Sequence, residues 1–143
     1  MNFISLRKII DSNIKKILIG GVTIMVLIGG FFGVKYLISV QKYQTAIKEL
    51  KITNVDLTKI NDGKYTGSCD TGFVGATVSV NVKNHKITDI TLLRHKTEKG
   101  KPAEVIPSKV LEAQSLQVDT ITGATNSSKV ILKSIETALE SGQ

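Results

Sequence analysis

The apolar residues divide the chain into an N-terminal hydrophobic segment and a later region of alternating strands and helices. Residues 17–34 are 18 consecutive positions without a charge. At about 1.5 Å per residue, a helix of this length reaches roughly 27 Å, close to a bilayer's hydrocarbon core of about 30 Å. Lys35 can extend its amine to the interface, so the apolar run continues to residue 40. The pattern predicts a transmembrane helix over residues 17–40.

Basic residues before this segment indicate its orientation. Four of them precede the span: Arg7, Lys8, Lys15 and Lys16. By the positive-inside rule they predict that residues 1–16 are cytoplasmic and that the rest of the chain is exported. A cleaved signal peptide is the alternative, but its apolar core is usually about 7–15 residues long and ends at a small-residue cleavage site. Residues 35–38 lack such a site, so we expect an uncleaved anchor.

The remaining sequence predicts a stalk and one small domain. Residues 41–60 have the pattern of an amphipathic stalk or linker, and Asp62-Gly63 then marks a turn. Alternating or β-branched residues predict strands over 64–69, 76–82 and 87–93, followed by a polar loop over 94–102. Helical signals follow over 107–114 and 130–139. We therefore expect an α+β domain over residues 61–143, a small antiparallel sheet packed with two helices.

Charge and composition exclude several classes of function. The net charge is +7, but residues 1–44 carry +5 of it and residues 45–143 only +2. The excess therefore reflects membrane topology, and with Tyr65 and Phe73 as the domain's aromatic residues we expect no nucleic-acid partner. One Cys and two His exclude a disulfide framework within the chain and a zinc finger. No nucleophile–base pair, carboxylate pair or metal-ligand cluster is apparent, so we expect neither a metal site nor substrate-level catalysis.

The segment before the last helix is rich in hydroxyl groups and small residues. It reads D-T-I-T-G-A-T-N-S-S over residues 119–128. The first turn of a helix presents unpaired N–H groups and a partial positive charge, which together favour an anion. The alternative is that these side chains only cap the helix's own N–H groups. The residues alone leave both interpretations open.

The same segment resembles the flavinylation motif of the FMN-binding domain family, whose members include subunits of the sodium-pumping NADH:quinone oxidoreductase and the Rnf complex. The resemblance extends over roughly residues 61–141. It includes D-G-K-Y-T-G at 62–67, K-I-T-D-I from residue 86, and the lead-in Q-S-L-Q-V-D at 114–119. It implies that a flavin transferase links FMN through its phosphate to the hydroxyl of Thr125.

The resemblance also assigns roles to neighbouring residues. Thr122, Gly123 and Ala124 would shape the phosphate pocket, and Asp119 would position the acceptor turn. Further candidate cofactor contacts are Ser127, which stands where many members carry Thr, Ser128 and the loop residue His95. The implied protein is a bacterial membrane-anchored, extracytoplasmic flavoprotein that carries electrons between membrane and extracytoplasmic redox partners. A non-redox binding or adaptor domain is the alternative function.

Overall fold

The computed structural model describes the backbone of residues 3–143 and the side chains of residues 11–143. The chain forms two compact units, residues 1–41 and 42–143. Helix α1, Phe3–Glu49, contains the described residues of the first unit. Its most apolar 18-residue window has a mean hydropathy of 2.4 and no buried residue. By length and composition this helix can span a membrane, as the uncharged run predicts.

The second unit is an α+β domain. Strands β1, Gly63–Asp70, β2, Gly75–Lys83, and β3, Lys86–Lys96, form an antiparallel sheet in the order β1-β2-β3. Two helices follow, α2, Ile106–Ala113, and α3, Thr125–Glu140. Short 3-10 helices cover Leu57–Lys59 and Lys101–Val105. This architecture confirms the predicted fold class.

The core lies between the sheet and α3. Alternate residues of β2, among them Val78 and Val80, are fully buried. The side chains of Val130, Ile131 and Ile135 on α3 are fully buried as well. Helix α3 packs on β1 and β2, whereas α2 packs on β3. The sheet and α3 thus bury these side chains between them.

Strand β3 is longer than the sequence predicts. The polar residues from Arg94 to Lys96 were expected in a loop, but they pair with the first residues of β2. The register places His95 opposite Ala76, with an irregularity between Thr77 and Val78. Because β3 is an edge strand, it tolerates polar residues that would be unfavourable in a central strand. Polar composition alone therefore does not mark the end of this strand.

The predicted stalk contributes to the domain. Helix α1 continues to Glu49, and Ile47 and Ile60 are buried in the core. The N–H group of Thr53 donates to the Glu136 carboxylate over 3.1 Å, and Lys133 Nζ donates to the same carboxylate over 2.8 Å. Since an amphipathic pattern suits a packed segment as well as a spacer, the sequence does not distinguish the two.

Candidate functional site

The T-G-A-T turn lies at the start of α3, and no side chain of residues 11–143 caps this helix. Ala124 occupies the N-cap position, with no side-chain cap hydrogen bond. The N–H group of Ser128 donates to the Ala124 carbonyl over 2.9 Å and begins the helical pattern. The N–H groups of residues 125–127 precede that bond, so they have no intrahelical acceptor. The capping interpretation of this segment is therefore wrong, and the turn keeps donors for an anion.

The two serines of this segment face the protein interior. Ser128 Oγ accepts from the N–H group of Ile121 and donates to the Ala124 carbonyl, each over 3.0 Å. Ser127 Oγ lies 3.1 Å from Thr97 Oγ1 in the loop after β3. Both serines are almost fully buried. The structure thus gives the side chains of Ser127 and Ser128 roles in holding the turn and the loop, and their contact with a cofactor stays a prediction.

The two threonines of the motif face solvent. Thr122 and Thr125 are exposed, and neither side chain makes a hydrogen bond to another described residue. Between them, Gly123 has a φ of +79°, which glycine adopts without strain, and a Cβ there would meet no atom within 4 Å. Ala124 is buried beneath the turn. The exposed face therefore combines hydroxyl groups, open backbone and free N–H donors.

Asp119 lies on the approach to this turn. Its side chain is exposed and makes no hydrogen bond to another described residue. It lines a shallow surface depression together with Lys109 and Val118. Asp119 is the last residue of the lead-in segment, residues 114–119, and its exposed side chain is accessible to an incoming group.

His95 occupies a different environment from the one expected of a polar loop. Only 3% of its side-chain surface is exposed, and Nδ1 lies 3.1 Å from Glu104 Oε1. Its Nε2 is buried and has no hydrogen-bond partner among the described residues. Its partner lies on the 3-10 helix before α2, not on the T-G-A-T turn. Among the described residues, no hydrogen bond joins His95 to the T-G-A-T turn, and its contact with a cofactor stays a prediction.

The aromatic residues separate into two locations. Tyr65 donates to the Asn61 carbonyl over 2.8 Å and lies near Gly142, at the far end of α3 from the motif. Phe73, in contrast, packs edge to face on Tyr43 with ring centroids 5.4 Å apart. Tyr43 Oη accepts a hydrogen bond from Asn126 Nδ2 over 2.8 Å. Sequence analysis missed Tyr43 and Asn126 because no local pattern connects residues 83 positions apart.

Comparison with known proteins identifies the domain that carries this turn. Residues 71–140 match the FMN-binding domain family. The domain belongs to that family. Over a 97-residue alignment that covers 66% of the chain, the sequence is also 37% identical to NADH:acrylate oxidoreductase from Vibrio harveyi. The match spans only 9% of that protein's length.

The FMN-binding domain as folded is longer than the matched residues. Strand β1 ends at Asp70, just before the match, yet it pairs with β2 along its whole length. The T-G-A-T turn and α3 lie inside the match. The cofactor of this domain is FMN, and the turn offers what its phosphate requires: unpaired N–H donors at a helix start and a backbone open to close approach. The residues present therefore fit the cofactor.

Proposed function

We propose that Thr125 carries FMN through a phosphoester bond. The observation that supports this assignment is the difference among the hydroxyl groups near the start of α3. Those of Ser127 and Ser128 are buried and engaged with the protein, whereas that of Thr125 is exposed and lies on the first residue of an uncapped helix. Thr122 is also exposed, but it lies three residues before the first residue of the helix.

The chain's own residues would stabilise the attached phosphate without a metal. A phosphodiester retains one negative charge, which the N–H groups of residues 125–127 and the positive end of the helix dipole favour. Gly123 lets the phosphate approach the backbone because no side chain stands in its path. Asp119 would position the turn, as the family resemblance implies. The bound FMN supplies reversible electron transfer, while the protein holds and orients it.

Attachment requires a flavin transferase and an activated donor. An FMN phosphoanhydride meets this requirement, since its second phosphate is a leaving group. The Thr125 oxygen forms the new bond to phosphorus, the anhydride bond breaks, and the hydroxyl proton departs with the leaving group. The exposure of Thr125 is what gives a separate enzyme access to this oxygen.

The same proposal places the FMN-binding domain outside the cytoplasmic membrane on a single-pass anchor. It rests on the apolar helix α1 and the four basic residues that precede its uncharged run. The protein would act as an electron carrier between membrane and extracytoplasmic partners. Protease added to intact spheroplasts should remove the domain and spare the N-terminus. Protection of the domain until the membrane is permeabilised would reverse the orientation.

The relative's name supports a redox role for this domain. An oxidoreductase moves electrons between two substrates, and the relative contains a stretch similar to this chain within a much longer protein. We therefore propose that the present chain supplies a flavin module for electron transfer and leaves substrate chemistry to its partners.

Replacement of Thr125 tests the attachment site. The full chain is co-expressed with a flavin transferase, and intact mass reports covalent FMN after denaturation. Thr125→Ala should abolish the added mass. It should lower the free energy of unfolding by only about 0.5 kcal/mol or less, because the hydroxyl is exposed and makes no hydrogen bond to another described residue. Thr125→Ser keeps a hydroxyl and should retain part of the mass, and Thr122→Ala should have a milder effect.

Thr120→Ala is the matched control. Thr120 is also exposed, but it precedes the motif's turn, so this variant should load FMN as the wild type does. Covalent flavin on Thr125→Ala would place the acceptor elsewhere in the segment. A wild-type chain that takes up no flavin in the presence of the transferase would favour the non-redox adaptor instead.

A further inference from the structure

An aromatic pair from two distant parts of the chain lies beside the proposed attachment site. Tyr43 belongs to the last turns of α1, and Phe73 lies in the loop between β1 and β2. Their rings meet edge to face, with an interplanar angle of 69°. Asn126, the residue after Thr125, donates from Nδ2 to Tyr43 Oη over 2.8 Å. This bond attaches the aromatic pair to the first turn of α3.

The Tyr43 hydroxyl group has one hydrogen-bond donor that is not used within the described residues. Its oxygen accepts the hydrogen bond from Asn126, but its own hydrogen has no acceptor among the described residues. Tyr43 and Phe73 are both only partly buried, so each ring retains some exposed surface. A partly exposed aromatic pair with an O–H donor suits a planar heteroaromatic ring that carries carbonyl acceptors. The isoalloxazine ring of FMN has both features.

We propose that Tyr43 and Phe73 form an aromatic wall against which the FMN ring packs. This inference rests on the proposed attachment at Thr125, because that bond delivers the ring to the first turn of α3. It makes Tyr43 a ring-positioning residue, although Tyr43 lies 28 residues before the first residue of the family match. The ring site would then be built in part from α1, a segment that the family match does not include.

Flavin fluorescence distinguishes this role from a purely structural one. A tyrosine ring in contact with excited flavin donates an electron to it and then recovers that electron, which quenches the emission. Phenylalanine lacks the electron-rich phenol and does not quench in this way. If Tyr43 only held α1 to the domain, its replacement by Phe would leave the emission of bound FMN unchanged.

The experiment uses the full chain loaded with FMN by co-expression with a transferase. Intact mass gives the covalent FMN content, and emission per bound FMN is measured in the folded state and in denaturant. The wild type should be quenched when folded and bright when denatured. Tyr43→Phe, which removes one oxygen and preserves the packing, should be severalfold brighter when folded.

Two further variants complete the test. Tyr43→Leu should be bright and also more accessible to iodide, because the wall is lost. Tyr65→Phe is the matched control, since Tyr65 lies near Gly142 at the other end of α3, and its emission should equal that of the wild type.

The outcomes separate the two proposals. Fully loaded Tyr43 variants with wild-type emission and iodide access would overturn the aromatic wall while leaving attachment at Thr125 intact. Absence of covalent FMN from the wild type would overturn the proposed function, and the aromatic wall with it. An equal rise in emission for Tyr65→Phe would mean that the effect is not specific to the motif's end of α3.

Discussion

Gly67 lets α3 lie directly against β1, so its replacement by Ala should strongly destabilise the domain. A Cβ at this position would lie 2.1 Å from the Ser134 carbonyl oxygen and 2.4 Å from the Ala138 nitrogen. Real Cβ contacts are essentially never shorter than 3.0 Å, so the nearest contact is 0.9 Å too short. Both obstructing atoms belong to the helix backbone, which cannot rotate away as a side chain can. The helix itself must therefore move.

The cost of that movement follows from what α3 buries. Its side chains Val130, Ile131 and Ile135 are fully buried, and a gap of about 0.5–1 Å forfeits a quarter to a half of each contact's dispersion energy. Inserting a methyl group into a packed core typically costs about 1–3 kcal/mol. Because the clash here is with backbone, we expect the upper end, about 3 kcal/mol. For a domain of this size, that lowers Tm by roughly 12 °C or more.

Gly63→Ala is the matched control on the same strand. A Cβ at Gly63 meets the hydroxyl end of Tyr65 at 2.9 Å, and that side chain can turn aside. Gly63→Ala should therefore lower the free energy of unfolding by less than about 1 kcal/mol. The assay is urea and thermal unfolding of the full chain in detergent, followed by near-UV circular dichroism of the domain's tyrosines. If the two variants unfold within about 1 kcal/mol of each other, close approach of α3 is not the reason for glycine at position 67.

Two further predictions concern buried groups. His95→Phe should leave the free energy of unfolding unchanged or raise it by about 1 kcal/mol, because it removes a buried nitrogen that has no partner among the described residues. Glu104, which loses its partner, is exposed enough to bind water. A loss above about 2 kcal/mol in thermal unfolding would contradict this. Burial raises the pKa of the Cys69 thiol, a change that Lys133 opposes and Asp70 reinforces. The stability that this thiol contributes is therefore complete below its unfolded pKa and is lost as pH rises through its folded pKa, a loss that Cys69→Ser should abolish. At pH 8 the folded chain should also react with iodoacetamide more slowly than the urea-unfolded chain, and equal rates would refute the raised pKa.

The sequence predicts the elements whose pattern is set by burial on one face. Alternation over residues 76–82 identifies β2, and the helical spacing of Ile131, Ile135 and Leu139 identifies α3, because each element buries one face in the same core. The sequence does not predict the end of an element where no buried face exists. The end of β3 is polar on an edge, and its pairing with β2 depends on a bulge that no residue preference marks.

In the candidate site, the sequence predicts the features that depend on neighbouring residues and misses those that depend on distant ones. The turn, the helix start and the family motif are local, so the sequence locates them. Residue chemistry alone does not separate Thr125 from Ser127 and Ser128, since all three carry a hydroxyl group, and only the family resemblance selects Thr125. Only the helix geometry shows that the two serines face inward while Thr125 faces solvent. The bond between Asn126 and Tyr43 depends on the folding of the entire domain.

The N-cap of α3 connects the fold to the proposed chemistry. Ala124 stands where Ser, Thr, Asp or Asn is preferred, and Ala at an N-cap typically costs about 0.5–2 kcal/mol. A capping side chain would occupy the N–H groups that the proposed phosphate uses. Ser128 stabilises the turn from inside instead, through its bonds to Ile121 and Ala124, and thereby leaves the outer donors unoccupied. The turn is thus held by a buried hydroxyl so that its exposed face can remain open to an anion, which is the arrangement that attachment at Thr125 requires.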